Sequence, residues 1–268
     1  MVKIGIIGLG FVGTAIQNAL IKKEFSKEQL IVYDKYKEIG FFSDILCTDI
    51  LFLALPTVYN QSKKEYDKSP IIETLDKLKK EEFKGLIVLK STVEPETTQK
   101  YHEYYGLNLV HNPEFLTART ANEDFLNQKH IIIGKTQDNI QPLVDFYKDN
   151  FEAKISICTS TESECMKLFC NCFYAAKVQM FTEFYVLCQK ISVDYKNVKD
   201  LMLANGWINP QHTTIPGPDG QISYGGLCFP KDTNALMEFM AENLSPCQVL
   251  KSVIEERNLM REDFDNIS

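Results

Sequence analysis

No stretch of the chain is apolar for long enough to cross a bilayer. The first residues, MVKIG, have neither the charged nor the apolar region of a secretion signal and read as the start of a strand. None of the eight cysteines (47, 158, 165, 170, 172, 188, 228 and 247) stands in a CxxC pair, and Cys170 and Cys172 are too close together, with no histidine beside them, for a routine zinc site. These absences exclude a metal-stapled or disulfide-stapled fold. The expectation is eight reduced thiols in a cytoplasmic protein, most of them small core residues, with no metal and no membrane partner. Positive charge is also scarce: 29 Lys and Arg stand against 36 Asp and Glu, a net charge of −7. General nucleic-acid binding is thereby excluded, although local lysines and helix N-termini can still hold an anionic ligand. Internal repeats and low-complexity segments are missing too. What is left is ordinary for a globular protein of one or two domains: 268 residues, 44% apolar and 24% charged.

The N-terminal half alternates. Residues 2–7 form an apolar, β-rich run that leads into GLGFVG at 8–13 and then a helix-forming stretch over 14–23. In this strand-to-helix setting each glycine has a job: Gly8 makes the tight turn, Gly10 lets a pyrophosphate approach backbone, and Gly13 allows close helix–strand packing. A second strand over 30–33 ends at Asp34, 21 residues past Gly13. A carboxylate there accepts from a ribose 2′-OH and repels a 2′-phosphate, which points to NAD rather than NADP. Strands are expected over 49–55, 86–90, 107–110 and 130–133, and helices over 70–83, 94–105 and 137–148. The predicted class is α/β, a Rossmann-type doubly wound sheet. Ligands of such sheets bind at the carboxyl ends of strands, where Thr57, Thr92 and Asn112-Pro113-Glu114 fall. Helix capping and turn chemistry account for the same residues equally well.

TSTESE at 159–164 offers two overlapping capping boxes, Thr159 with Glu162 and Thr161 with Glu164. About thirty residues without Gly or Pro follow, with apolar residues at 166, 170, 173, 180, 184, 187 and 191. That spacing predicts a long helix with a packing seam, suited to joining domains or subunits, and the expected assembly is a homodimer through it. Lys167 and Asn171, four apart beside the seam, share a face and suit a developing oxyanion, although a solvated helix edge explains such a pair as well. Lys177, within the seam, needs a polar partner if buried. A helix over 195–204 and a turn-rich loop over 206–226 lead to GGLCFPKD at 225–232. Here Cys228 is a potential nucleophile with Lys231 near enough to favour its thiolate, and Gly225 and Gly226 leave room for close approach. A Gly-Gly turn with a buried cysteine before a Phe-Pro helix start is the competing reading. Two helices close the chain, over 231–243 and 246–261. The expected division is a NAD-binding domain over 1–158, then the long helix and a small all-α domain carrying the cysteine loop over 159–268.

Taken together, GLGFVG, Asp34, Pro56-Thr57, Ser91-Thr92-Val93, NPEFL at 112–116, Lys167 with Asn171, and GGLCFPKD resemble the UDP-glucose/GDP-mannose dehydrogenase family, in the family's order and along nearly the whole chain. The resemblance implies oxidation of a nucleotide sugar's primary alcohol to a carboxylate with two NAD, UDP-glucose to UDP-glucuronate being the expected reaction. It casts Cys228 as the nucleophile, Lys167 and Asn171 as oxyanion holders, and Asp232 as the residue that positions or activates water. Thr92 and Glu114 would line the catalytic site. Gly8, Gly10, Phe11, Val12, Gly13, Asp34, Thr57, Thr92 and Lys231 would contact NAD. Glu114, Phe115, Leu116, Lys167, Asn171 and Gly225 would contact the sugar nucleotide. The motif departs from the family at Ala118, which stands where a second glutamate is usual. The family's C-terminal nucleotide-binding domain is not in this sequence, as expected of a short natural form, a fragment or a protein whose closing domain is a separate chain, and the loop over 215–221, its own or a dimer mate's, is expected to close over the substrate instead. Two other functions fit parts of the pattern: a two-electron β-hydroxyacid dehydrogenase in which Cys228 is incidental, and a non-catalytic protein that binds NAD or a sugar nucleotide.

Overall fold

The structure is a computed structural model that describes residues 2–117, 119–261 and 263; Ala118 lies outside them. The chain divides into two compact units, residues 1–57 with 67–167, and residues 58–66 with 168–268. The division falls inside the long helix, and it assigns a short segment from the N-terminal half to the second unit.

In the first unit β1 (Ile4–Ile7) lies between β2 (Leu30–Tyr33) and β3 (Ile50–Leu53), parallel to both. The sheet continues through β6 (Leu86–Leu89), β7 (Leu109–His111), β8 (His130–Lys135) and β9 (Lys154–Thr159) in the order β2-β1-β3-β6-β7-β8-β9. All neighbours are parallel except β7 and β8. The continuous apolar runs of these strands follow from burial on both faces. Successive side chains point to opposite sides, so Ile50 and Phe52 join one core cluster with Ile4, Ile6 and Leu20, while Leu51 and Leu53 join a second with Ile71, Leu75 and Leu78. Helices α1 (Phe11–Lys22), α3 (Ser69–Lys80), α4 (Thr97–Tyr105) and α6 (Gln141–Asn150) are those expected, with ends moved by a few residues. The short helices α2 (Phe42–Ile45) and α5 (Ala121–Leu126), and strand β9, have no counterpart in the sequence reading.

Helix α7 (Ser160–Lys190) starts as one of its two capping boxes predicts. Thr159 N and Oγ1 each donate to Glu162 Oε2 at 2.8 Å, and Glu162 N donates back to Thr159 Oγ1 at 3.2 Å. The other box does not form. Glu164 accepts instead from Thr98 N at 2.8 Å and Thr98 Oγ1 at 2.6 Å, because α4 supplies a buried partner that a local cap cannot match. In the second unit the later turns of α7 pack with α8 (Tyr195–Ala204), α9 (Phe229–Glu242) and α10 (Gln248–Met260). This unit is not all helical. Strands β4 (Val58–Asn60) and β5 (Glu65–Asp67) form a hairpin whose Tyr59 and Tyr66 are buried with Leu168, Cys172, Ala235 and Leu236. The long loop before Cys228 is pinned by side chains from several helices. Lys177 Nζ donates to Asn209 O and Gln211 O, the polar partners its seam position required, and Tyr195 Oη donates to Thr213 O at 2.6 Å. Ser223 Oγ donates to Gln179 Oε1 at 2.5 Å. Of the expected seam, Phe173, Met180, Leu187 and Ile191 are exposed, while Phe184 packs inward with Phe181 and Tyr195.

The turn between β1 and α1 carries the tightest constraint in the sheet. A Cβ built on Gly13 would lie 1.8 Å from Gly8 O. Gly13→Ala is expected to push α1 off the strand end and cost about 1–3 kcal/mol, read as a lower urea midpoint. An unchanged midpoint would contradict this packing.

Candidate active site

The first unit holds a dinucleotide-shaped cleft. Gly8 has φ +90°, and a Cβ there would meet Ala54 O at 2.5 Å, so only glycine makes this turn. Gly10, at the N-cap of α1, faces open space, and no side chain caps that helix end. The first N–H groups of α1 are thus available to an anion. A cavity of about 430 Å³ opens beside them, bordered by Gly8, Gly10, Phe11, Val12, Asp34 and Pro56. Asp34 Oδ1 accepts from Tyr36 N at 3.0 Å and Lys37 N at 2.9 Å, and its Oδ2 from Leu9 N at 2.7 Å. Burial pushes this carboxyl up, but the backbone donors outweigh it and hold it below the usual carboxylate range. Three acceptor positions are used, and one on Oδ2 is left for a ribose hydroxyl. Glycine turn, uncapped helix end and acid therefore fit NAD.

The strand ends beside this cleft are laced together. Thr57 Oγ1 donates to Thr92 O at 2.7 Å, and Ser91 Oγ to Leu55 O at 2.6 Å. The N-cap of α4 is Glu96, so Thr92 does not cap that helix. Glu114 Oε2 accepts from Leu116 N at 2.5 Å, and Lys167 Nζ donates to Glu114 O at 2.6 Å while lying 5.2 Å from the Phe115 ring. Phe115 is partly exposed and Leu116 packs on the sheet core. Sequence reasoning missed Lys90 among these groups. It is buried at the end of β6, where Nζ donates to Asn112 Oδ1 at 2.8 Å. Burial, reinforced by the Lys167 charge and opposed by Glu114, pushes it down to about 7. His111, on β7, is held to about 3 by burial and by Lys90 and is therefore neutral; its Nδ1 meets Ser163 Oγ at 2.8 Å. Burial raises Glu164 to about 7.

The second unit holds the cysteine loop. Cys228 is exposed and sits at the N-cap of α9. Cys172, by contrast, is buried, and burial pushes its thiol up. One turn after Cys228, Asp232 N donates to Cys228 O at 3.0 Å. The Asp232 side chain is fully buried. Its Oδ1 accepts from Tyr66 Oη and Lys231 Nζ, each at 2.5 Å, and its Oδ2 from Asn171 Nδ2 at 2.6 Å. The Lys231 ammonium also lies 4.5 Å from the Tyr66 ring centroid. Asn171 and Asp232, read separately from sequence, are therefore direct partners, and Lys231 is engaged by Asp232 as well. Gly225 meets a constraint within the chain itself. A Cβ there would lie 2.3 Å from the Arg261 guanidinium, so the glycine makes room for an arginine. Arg261 Nη2 donates to Asp219 Oδ2 at 2.7 Å, and Arg257 Nε to Tyr224 O at 3.2 Å. Both arginines are buried and tie the loop to α10. Gly226, with φ +78° and open space around it, keeps the role of the permissive turn. Among the described residues no cluster of three or more His, Cys, Asp or Glu is placed to hold a metal ion, and no helix is long and apolar enough to cross a membrane.

Comparison with known proteins agrees with this geometry. Residues 17–150 match the UDP-glucose/GDP-mannose dehydrogenase family NAD binding domain, and residues 161–258 match the central domain of the same family. UDP-glucose 6-dehydrogenase of Rickettsia bellii is 30% identical over 242 residues, covering 84% of this chain and 53% of the relative. The chain spans about half the length of several such curated relatives. A UDP-glucose dehydrogenase from the hyperthermophilic archaeon Pyrobaculum islandicum superposes with a TM-score of 0.81 at 22% identity, over 97% of this chain and 68% of that one. A 3-hydroxyisobutyrate dehydrogenase from Mycobacterium tuberculosis shares the fold with a TM-score of 0.73 at 13% identity, over 96% of this chain and 93% of the other. With both profiles of one family matched in order, the chain belongs to the UDP-glucose/GDP-mannose dehydrogenase family and carries its NAD-binding domain.

Proposed function

We propose that the chain oxidises the primary alcohol of a nucleotide sugar to a carboxylate in two NAD-dependent steps, UDP-glucose to UDP-glucuronate, with Cys228 as the covalent catalyst. The observation that carries this reading is an exposed thiol at a helix N-cap, one turn before a buried carboxylate held by three donors. The positive end of α9 favours a thiolate there. Bound NAD supplies the hydride acceptor for each oxidation. The Cys228 thiolate adds to the aldehyde carbon, and the resulting thiohemiacetal keeps the intermediate on the protein. Loss of a second hydride from that carbon leaves a thioester on Sγ, which water cleaves. Overall, R–CH2OH + 2 NAD⁺ + H2O gives R–COO⁻ + 2 NADH + 3 H⁺. Lys167 and Asn171 donate to the developing oxyanion, Asp232 accepts a proton from the attacking water, and Thr92 and Glu114 complete the catalytic set. Phe115, Leu116 and Gly225 belong to the sugar-nucleotide contacts and Lys231 to those of NAD. Eight thiols and no disulfide support a reducing, cytoplasmic setting.

A second reading, two-electron oxidation of a β-hydroxyacid with Cys228 incidental, draws support from the whole-chain likeness to the 3-hydroxyisobutyrate dehydrogenase fold. NADH stoichiometry across UDP-glucose, UDP-N-acetylhexosamines and GDP-mannose separates the two. Two NADH per substrate are expected, and Cys228→Ser is expected to lower complete turnover by about a hundredfold or more. One NADH with a released ketone, or full activity in Cys228→Ala, would favour the second reading; binding without NADH from any of these substrates would leave a binding protein.

The chain is also proposed to form a homodimer through α7. Phe173, Met180 and Leu187 recur every seven residues and are exposed, as a helix–helix seam between two copies requires. Phe173→Glu with Leu187→Glu is expected to convert a sedimenting dimer to a monomer; an unchanged mass would place the interface elsewhere.

A further inference from the structure

An ionised carboxylate has about four acceptor positions. On Asp232 the two of Oδ1 are taken by Tyr66 Oη and Lys231 Nζ, and one of Oδ2 by Asn171 Nδ2. A single position is left, on Oδ2. Asp232 also follows Cys228 by one turn of α9, which puts both residues on one side of that helix. We propose that Tyr66 is a positioning residue for the hydrolytic step: its hydroxyl, with Lys231, saturates Oδ1 and turns the carboxylate so that the open position of Oδ2 receives the proton of the attacking water. This rests on the covalent reading of Cys228. Tyr66 comes from the β4–β5 hairpin, and its ring is already accounted for by packing against Leu168, Cys172 and Leu236. Its hydroxyl is not, since a phenylalanine would fill the same apolar space. The hydroxyl instead makes a short bond to a fully buried carboxylate, 166 residues away in sequence.

In the step itself, the water oxygen bonds to the acyl carbon and one water proton passes to Asp232 Oδ2. The C–S bond breaks with its electron pair going to Cys228 Sγ. The product then ionises, so that R–CO–S–Cys + H2O gives R–COO⁻ + Cys–S⁻ + 2 H⁺, with no change of oxidation state. Lys231 keeps its charge throughout, and Asn171 keeps its hold on Oδ2.

The test compares the wild-type chain with Tyr66→Phe, using whichever sugar nucleotide of the panel above yields NADH. In Tyr66→Phe the rapid burst of two NADH per site is expected to survive, while steady-state kcat falls about tenfold to a hundredfold with little change in KM. Intact-protein mass spectrometry is expected to show an acyl adduct that is lost when Cys228 is replaced. Hydroxylamine, which cleaves thioesters without a general base, is expected to restore turnover and yield the hydroxamate. A variant with wild-type kcat and no adduct, or one that loses the burst as well and is not rescued, would overturn the role of Tyr66 while leaving Cys228 in place. A wild-type chain that makes one NADH per substrate, or none, overturns the covalent reading and this inference together.

Discussion

A carboxylate removed from water must be matched by donors, or the chain cannot bury it. Asp232 meets that condition only by recruiting a hairpin, the long helix and its own neighbour. Tyr66, Asn171 and Lys231 are each fixed by what they give to it. The order of the second unit follows from that one group. Helix α9 cannot rotate without breaking the two short hydrogen bonds that Tyr66 and Asn171 give to Asp232, and these brace the N-cap that carries Cys228. The cationic neighbour is settled in the same way, with its charge shared between the carboxylate and the face of an aromatic ring. The exposed Cys228 thiol therefore stands at the end of a braced helix rather than on a free loop.

Much of the first unit was legible because its signals are local. The run before Gly8, the glycine spacing and Asp34 each act within one strand–turn–helix unit, and the structure turns them into a cleft bordered by Gly8, Gly10, Phe11, Val12 and Asp34. The strands read as uninterrupted apolar runs because both faces are buried. The start of α7 was legible for the same reason at Thr159 and Glu162, whose bonds span three residues. Glu164, with the same sequence credentials, was taken by Thr98, 66 residues away, and no local pattern encodes that choice.

The parts that could not be read are those made by distant partners. Nothing around Tyr66 marks it as the partner of an aspartate late in the chain, and its hairpin is short and polar between its two buried tyrosines. The arginines of α10 look like ordinary surface charges in sequence. Their burial is explained by the carbonyls and the Asp219 carboxylate of the loop they grip, together with Asp263. Gly225 carries a constraint that its sequence neighbours do not reveal. The glycine is required, but the group it yields to is a guanidinium of its own chain. Lys90 was hidden because a lysine at a strand end usually points to water, whereas here Asn112 draws it inside.

The hairpin also sets an order of assembly. The chain passes between its two compact units three times: before Val58, after Tyr66, and within α7 after Lys167. During synthesis the first unit has all its residues once Lys167 has emerged, with nine residues, 58–66, left looped out of it. Their tyrosines have no core to enter until α9 is made. At ordinary ribosomal speeds the 166 residues between Tyr66 and Asp232 take roughly ten to thirty seconds. The second unit is therefore the last to close, around a strap laid down near the beginning. A fragment that starts at Leu168 would lack that strap and, with it, two of the largest side chains of its own interior.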